Sequence, residues 1–364
     1  MSYLKELRIE NFRGFDTLNI EGFSKINLLL GKNNCGKTSI LESLFLLFGM
    51  SNPSLPDTIN RMRGIGLKSP QQLKYLFHKL KFNNHPTFYA KFDDSSERWL
   101  EISPRYQRKN IGLDPSINKE VPEDIHFTGS TDESFEINGL DFKFSYGSNT
   151  EQKKSLTNSL ILNFPEISRR INKEYNEQLY GVFIPSDSKD NNALQRYSKI
   201  VKNRGGDLIL EVMQKFDPRI ELIQPLPDGI FFGLKGLDEL VPSNILGDGL
   251  RKFLNVITAI AESKNSYIFL DEIENGLHYS AHKLLWESIL SMTDTFNVQV
   301  FITTHNIESL ACLKLALEEA KYKKMQDLAN VFTITETTKS GFKAYKYSFE
   351  AFKDAIEKET ELRS

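Results

Sequence analysis

The stretch "LLLGKNNCGKTSILESLFLLF" constrains this chain more than any other. A short apolar run ends in Gly31, the spacing G-x-x-x-x-G-K-[ST] follows, and a helical pattern that is apolar almost all round begins at Lys37. Strand, glycine-rich loop and helix in that order are what a phosphate cradle needs. The glycines let the chain turn tightly enough for backbone amides and the helix N-terminus to face phosphate oxygens. A helix with so little polar surface belongs beside a central sheet. Gly31, Asn33, Asn34, Gly36, Lys37, Thr38 and Ser39 are therefore candidate nucleotide-binding residues. Lys37 would bridge the β- and γ-phosphates and the Thr38 hydroxyl would ligate Mg²⁺, which makes ATP and Mg²⁺ the expected ligands.

Two later strands end in chemistry. "YIFLDE" is an apolar run closing on Asp271 and Glu272. Buried strands rarely end in adjacent acids without a task. Asp271 is the candidate second metal ligand, and Glu272 the candidate general base that polarises the attacking water. "FITTHN" ends in His305, one strand over, placed to donate a hydrogen bond to a γ-phosphate. Alone, each of these short motifs reads as a solvated strand end; together with the phosphate loop they read as one catalytic set of Lys37, Glu272 and His305.

Between and after these motifs, apolar strands alternate with helices: helix 250–262, "SYIFLDE", helix 278–292, "VQVFITT", helix 306–320, "VFTITET", a last strand and a charged terminal helix. This order implies a mostly parallel sheet covered on both faces. Residues 86–150 differ, with short alternating segments such as "TFYAKF", "RWLEI" and "LDFKFSY" that suggest an antiparallel β lobe. Residues 51–66 read as loop, "PQQLKYLFHKL" and 151–180 as helical, and 190–216 as mostly helical. The organisation expected is 1–85 for the first half of a nucleotide-binding head, 86–240 for an inserted β lobe and helical region, and 241–364 for the second half.

Composition excludes several classes. The chain has 364 residues, 40% hydrophobic and 26% charged, with a formal net charge of −2. No bulk basic character advertises nucleic acid, although a local groove remains open. Two cysteines, Cys35 and Cys312, make no disulfide framework, and one sits inside the phosphate loop, which suits a reducing cytoplasm. The longest apolar run is too short to span a bilayer, and the alternating N-terminus has no signal-peptide core.

These motifs, with "LGDGLRK" ahead of the acidic strand, resemble the ABC-type ATPase heads, the group of the SMC proteins, the RecF-type recombination ATPases and the overcoming-lysogenization-defect (OLD) family. The opening "LKELRIENFRGF" is similar to the first strands of that group, and "LDEIENGLH" looks like the OLD-type acidic strand with its D-loop. The resemblance covers residues 1–50 and 240–320, and is closest to stand-alone OLD-like bacterial ATPases. It implies an ABC-type P-loop head that hydrolyses ATP in a two-fold dimer or higher assembly. There the signature residues Gly247, Asp248, Gly249 and Arg251 of one subunit would cover the partner's nucleotide. It also implies D-loop residues Asn275 and His278, and contacts from Asn11 and Arg13 to the base or ribose. Two departures stand out: Gly247 replaces the usual signature serine, and His278 replaces the usual D-loop aspartate. For a Q-loop, Gln71 and Gln72 are the candidates.

By the same resemblance the chain is a switch or sensor in a bacterial anti-phage module, acting on a separate effector such as a nuclease or toxin. A RecF-like repair ATPase that binds duplex DNA is the alternative, with Arg105, Arg108 and Lys109 as candidate contacts; a regulatory scaffold with little turnover is a third reading. Some 59 residues follow His305, too few for an appended nuclease domain. His278 and His282 stand one turn apart, a zinc-like spacing that no third ligand joins. "RMRG", Arg61 to Gly64, is either an arginine loop that reaches the nucleotide or a solvated turn.

Overall fold

The computed structural model describes residues 1–108, 135–148, 154–163, 166–187, 192–337 and 341–358. Two sheets dominate. The antiparallel sheet contains β1 (Leu4–Phe12), β2 (Phe15–Glu21), β4 (Thr87–Phe92), β5 (Ser96–Arg108), β6 (Phe135–Ser148), β7 (Lys154–Asn163) and β8 (Glu166–Arg170), ordered β2-β1-β4-β5-β6-β7-β8. The central sheet has β3 (Ile26–Leu30), β9 (Gly181–Ile184), β13 (Tyr267–Leu270), β14 (Gln299–Thr303), β15 (Ala329–Thr337) and β16 (Gly341–Tyr347), ordered β16-β15-β3-β14-β13-β9. Its first five members in space after β16 pair in parallel, and only β16 runs antiparallel, along β15. A small third sheet is built from β10 (Ile220–Leu226), β11 (Gly229–Leu234) and β12 (Val241–Pro242).

The parallel strands are buried on both faces, and their side chains sort by the two-residue period of a strand. Ile26, Leu28, Ile268, Leu270, Val300 and Ile302 face one apolar core; Leu29, Tyr267, Phe269, Phe301 and Phe332 face the other. The first core is closed by α5 (Asp248–Glu262), α6 (His282–Phe296) and α7 (Ile307–Glu318), with α3 (Ala193–Lys202) and α4 (Gly206–Phe216). In the second core lies α1 (Lys37–Phe48), held between the central and antiparallel sheets. That position explains why α1 has almost no polar face: both of its sides meet a sheet. The fold is the ABC-type P-loop head, mixed α/β with a mostly parallel central sheet and an antiparallel sheet beside it.

The antiparallel sheet takes β1 and β2 together with β4–β8, so it reaches from the N-terminus into the inserted stretch, and β9 from that stretch joins the central sheet. Three expectations need correction. Residues 154–163 and 166–170 are strands, not helix. α2 (Leu55–Met62) occupies the stretch read as loop; Pro56 sits in its first turn, where a missing N–H costs nothing. The segment from Pro70 to Leu80 forms short 3₁₀ turns. The last element, α8 (Phe349–Glu357), packs Phe349 and Phe352 onto the first core.

Candidate functional site

The loop between β3 and α1 folds as the glycine spacing predicts. Gly31 has φ 144° and Gly36 has φ 89°, both in the region that L side chains avoid. A Cβ on Gly36 would lie 2.3 Å from the Phe15 ring, and one on Gly31 would lie 2.5 Å from a backbone oxygen. Lys37 is 7% exposed, and its ammonium donates to the carbonyls of Gly31 and Lys32, each at 2.9 Å. No carboxylate pairs with it among the described residues, so a largely buried positive charge is held over the loop without a counter-charge. The Cys35 thiol lies 3.9 Å from that ammonium, and burial pushes its pKa up.

Across the cradle stand the ends of β13 and β14. The Thr38 hydroxyl donates to Asp271 at 3.0 and 3.1 Å, and Thr303 donates to the same carboxylate at 2.7 Å. Burial pushes the Asp271 carboxyl up; the Thr303 and Thr38 hydroxyls pull it back, and Glu272 and Glu42 push in the same direction as burial. A hydroxyl and a buried, incompletely neutralised carboxylate side by side are hard oxygen donors of the kind Mg²⁺ takes, with phosphates and water supplying the rest.

Glu272 follows at φ 43°, an unusual backbone for a non-glycine residue, fixed by its amide donating to Thr303 Oγ1 at 2.8 Å. Such a conformation holds only where the surroundings over-determine it. It presents the carboxylate to the cavity, where Asn275 Nδ2 donates to it at 2.6 Å. His305 Nδ1 lies 3.9 Å from Glu272 and 3.4 Å from Glu274, and the His305 amide donates to Glu274 at 3.1 Å.

Arg13, Asn33, Asn34, Gly36, Lys37, Thr38, Ser39, Glu272 and His305 line one cavity of about 720 Å³. Ile65, Tyr75, Phe77 and Leu80 add apolar surface to its lining. Asn11 does not line it. Arg13 does, paired with the buried Glu42, and burial pushes its guanidinium down to about 10.

The signature residues are elsewhere. Gly247 caps α5, and Gly247, Asp248 and Gly249 border a second cavity of about 640 Å³ together with Gly276 and His278, the latter an expected D-loop residue. Arg251 is paired with Asp248 one turn back on its own helix. A Cβ on Gly249 would come 3.0 Å from the Gly276 carbonyl, so its own chain leaves little room for a side chain there. A Cβ on Gly247 would meet nothing within 4 Å.

Several residues escaped sequence reading. Thr303 orients both Asp271 and Glu272; Glu274 orients His305. Lys252, 1% exposed on α5, donates to the carbonyls of Pro185 and Ser186, and burial pushes its ammonium down against the pull of Asp271, Glu274, Glu272 and Asp187. Arg63, from the ambiguous "RMRG", lines the nucleotide cavity, whereas Arg61 pairs with Asp57 in solvent. Glu42, the one carboxylate in a largely apolar helix, was the available signal for Arg63's anchor.

Other candidates fall away from the site. Gln72 caps its own turn through Ser69, and neither Gln71 nor Gln72 lines the cavity. His278 is tied to Ser280, and among the described residues no group of three His, Cys, Asp or Glu could hold a metal. Arg105 is paired with Asp141 at 3.1 Å; Lys109 and the Arg108 side chain lie outside the described residues. No described helix is long and apolar enough to cross a membrane.

Comparison with known proteins agrees with this geometry. Residues 26–311 match the family described as "AAA domain, putative AbiEii toxin, Type IV TA system". An "ATP/GTP phosphatase" of Helicobacter pylori is 28% identical over 88% of this chain and 90% of its own length. The RecF replication and repair protein of Clostridioides difficile is 51% identical, but over only 13% of each chain. A crystal structure of an SMC head bound to the C-terminal winged-helix domain of ScpA superposes with a TM-score of 0.50 at 13% identity, covering 96% of this chain and 98% of that one; at this identity the likeness shows the fold.

Proposed function

The chain belongs to the family described as "AAA domain, putative AbiEii toxin, Type IV TA system", and on that premise we propose that this P-loop ATPase works as a nucleotide-driven switch whose cycle controls a separate effector. It binds and hydrolyses ATP. The observation that carries the site assignment is the unneutralised Lys37 ammonium sharing one cavity with Thr38, Glu272 and His305, next to the Thr38–Asp271 pair.

In this reading Lys37 and the loop amides hold the β- and γ-phosphates. Thr38 and Asp271 would hold a Mg²⁺ ion, which would supply charge neutralisation on the phosphates. Glu272, steadied by Asn275, takes the proton of the attacking water, and His305, steadied by Glu274, donates to the γ-phosphate. The apolar surface of Ile65, Tyr75, Phe77 and Leu80 receives the base by contact alone, which fits a purine in general and accords with the relative called an ATP/GTP phosphatase. Gly247 and the start of α5 serve the partner subunit's nucleotide, because they border a different cavity from their own chain's cradle. The family's description, which names a toxin and a Type IV TA system, supports a place in a toxin–antitoxin module.

A DNA-repair role draws on the short RecF match, but the one well-described basic candidate, Arg105, already has a carboxylate partner.

Lys37→Ala tests the site. ATP affinity by calorimetry is expected to fall roughly 100-fold, the worth of one or two charge-assisted hydrogen bonds. The same variant, expressed with the adjacent genes, is expected to lose any effect on phage plating. Unchanged ATP affinity overturns the site; unchanged plating with lost affinity overturns only the defence role.

A further inference from the structure

Glu42 is 1% exposed, midway along α1, and receives two guanidinium groups. Arg63 Nε and Nη2 approach its two oxygens at 2.6 and 3.0 Å; Arg13 Nε and Nη2 approach at 2.7 and 3.3 Å. Arg13 comes from the β1–β2 turn, where it is held at φ 50°, and also donates to Asn60 at 3.2 Å. Arg63 comes from the residues after α2 and reaches Ser39 Oγ at 3.4 Å. Among the described residues neither arginine has a second carboxylate partner, although the charge of Asp271 acts on Arg63 from across the cradle. Two cations on one anion leave a surplus positive charge, and both arginines line the nucleotide cavity.

We infer that Glu42 is a positioning residue that holds Arg13 and Arg63 as a two-arginine clamp for the nucleotide, whose phosphate supplies the anion that the trio lacks. The inference rests on the nucleotide-site reading above. Ser39 follows the metal-binding threonine, so the clamp meets the end of the phosphate chain nearest the ribose, a part shared by ADP and ATP. Holding the guanidinium planes in place before binding lowers the ordering cost of the complex.

The sign of one substitution separates positioning from simple charge. Glu42→Gln makes the site more positive; if Glu42 acted only as a charge, ADP would bind more tightly. If it positions the arginines, ADP binds less tightly.

Calorimetry with ADP on the full chain carrying Glu42→Gln, Arg63→Ala, or both tests this. Each single variant is expected to lose roughly tenfold in ADP affinity. The double variant should lose less than the product of the two, because Arg63 has nothing left to be positioned. Under turnover, KM for ATP should rise by more than kcat falls. Melting without nucleotide separates a folding defect, and if Glu42→Gln does not fold, Glu42→Asp and Arg63→Ala carry the test, the Arg63 side chain being 36% exposed. Equal or tighter ADP binding by folded Glu42→Gln, or equal binding by Arg63→Ala, overturns the inference while leaving the site standing. A wild-type protein that binds no ADP removes both.

Discussion

The phosphate cradle and the signature edge make opposite use of the same elements, a glycine-rich turn leading into a helix. In the cradle, both glycines are forced by the chain's own packing: Phe15 fills the space beside Gly36, and the Lys37 ammonium is buried against loop carbonyls. At the expected signature edge, a Cβ on Gly247 would meet nothing within 4 Å, Ile245 is 73% exposed just before it, and Arg251 pairs with Asp248 of its own helix. The cradle is complete within one chain except for the anion it is built around. The stretch before α5 is under no such internal constraint, which suits the proposed contact with a partner subunit. Gly249 is constrained by its own chain, since a Cβ there would meet the Gly276 carbonyl at 3.0 Å, whereas Gly247 has room for a side chain and is the cleaner position at which to probe the proposed partner contact.

The comparison can be broken at each region separately. The largest effect is expected at Glu272. Glu272→Gln keeps the shape and the Asn275 contact but removes the base, so turnover should fall about 10²–10⁴-fold while ATP stays bound. Phosphate-release kinetics alongside calorimetry measure both, and wild-type turnover in the variant removes Glu272 from the chemistry.

The next effect comes from the other region. Gly247→Asp has room within its own chain and a backbone (φ −51°, ψ 152°) that any residue adopts, so the cradle should bind ATP normally. A carboxylate aimed at the partner's γ-phosphate should nevertheless cut turnover roughly 10²-fold, as removal of a transition-state donor does. Full activity in this variant contradicts the trans assignment.

Much of this was legible in the sequence because the decisive signals are local. The loop spacing, the apolar strands and the acids at a strand end all sit within a few residues of one another. What was not legible depends on distant partners. "SLTNSLILN" places leucines at 156 and 160, a helical interval, yet it is a strand in which Asn158 is buried, donating to the Ser51 carbonyl and accepting from the Asn172 amide. A polar residue inside, satisfied from 107 positions away, disguises the alternation. The Arg13–Glu42–Arg63 group is hidden for the same reason, since its members come from three segments. Thr303 and Glu274 are ordinary residues whose role appears only when β13 and β14 lie side by side.

The smallest effect concerns stability. Burial raises the Asp271 carboxyl pKa, so in the native state this group takes up its proton at a higher pH than in the unfolded chain. Its ionised form therefore costs stability above the native pKa, and the cost is relieved as pH falls through the native value toward the ordinary carboxylate range. Asp271→Asn should raise the melting temperature by roughly 1–2 °C at neutral pH without nucleotide, about what 1 kcal/mol gives in a chain of this length. That gain should vanish in acid. A lower melting temperature at neutral pH would mean that the carboxylate stabilises the fold.

The most direct test of the division between cradle and signature edge is the mass of Glu272→Gln in solution with ATP and Mg²⁺, by sedimentation, with and without Gly247→Asp in the same chain. The account predicts a doubled mass for Glu272→Gln on adding ATP, and no change once Gly247→Asp is added although ATP still binds. The same mass with and without ATP, or an undiminished ATP-dependent dimer in the Gly247→Asp chain, would contradict it.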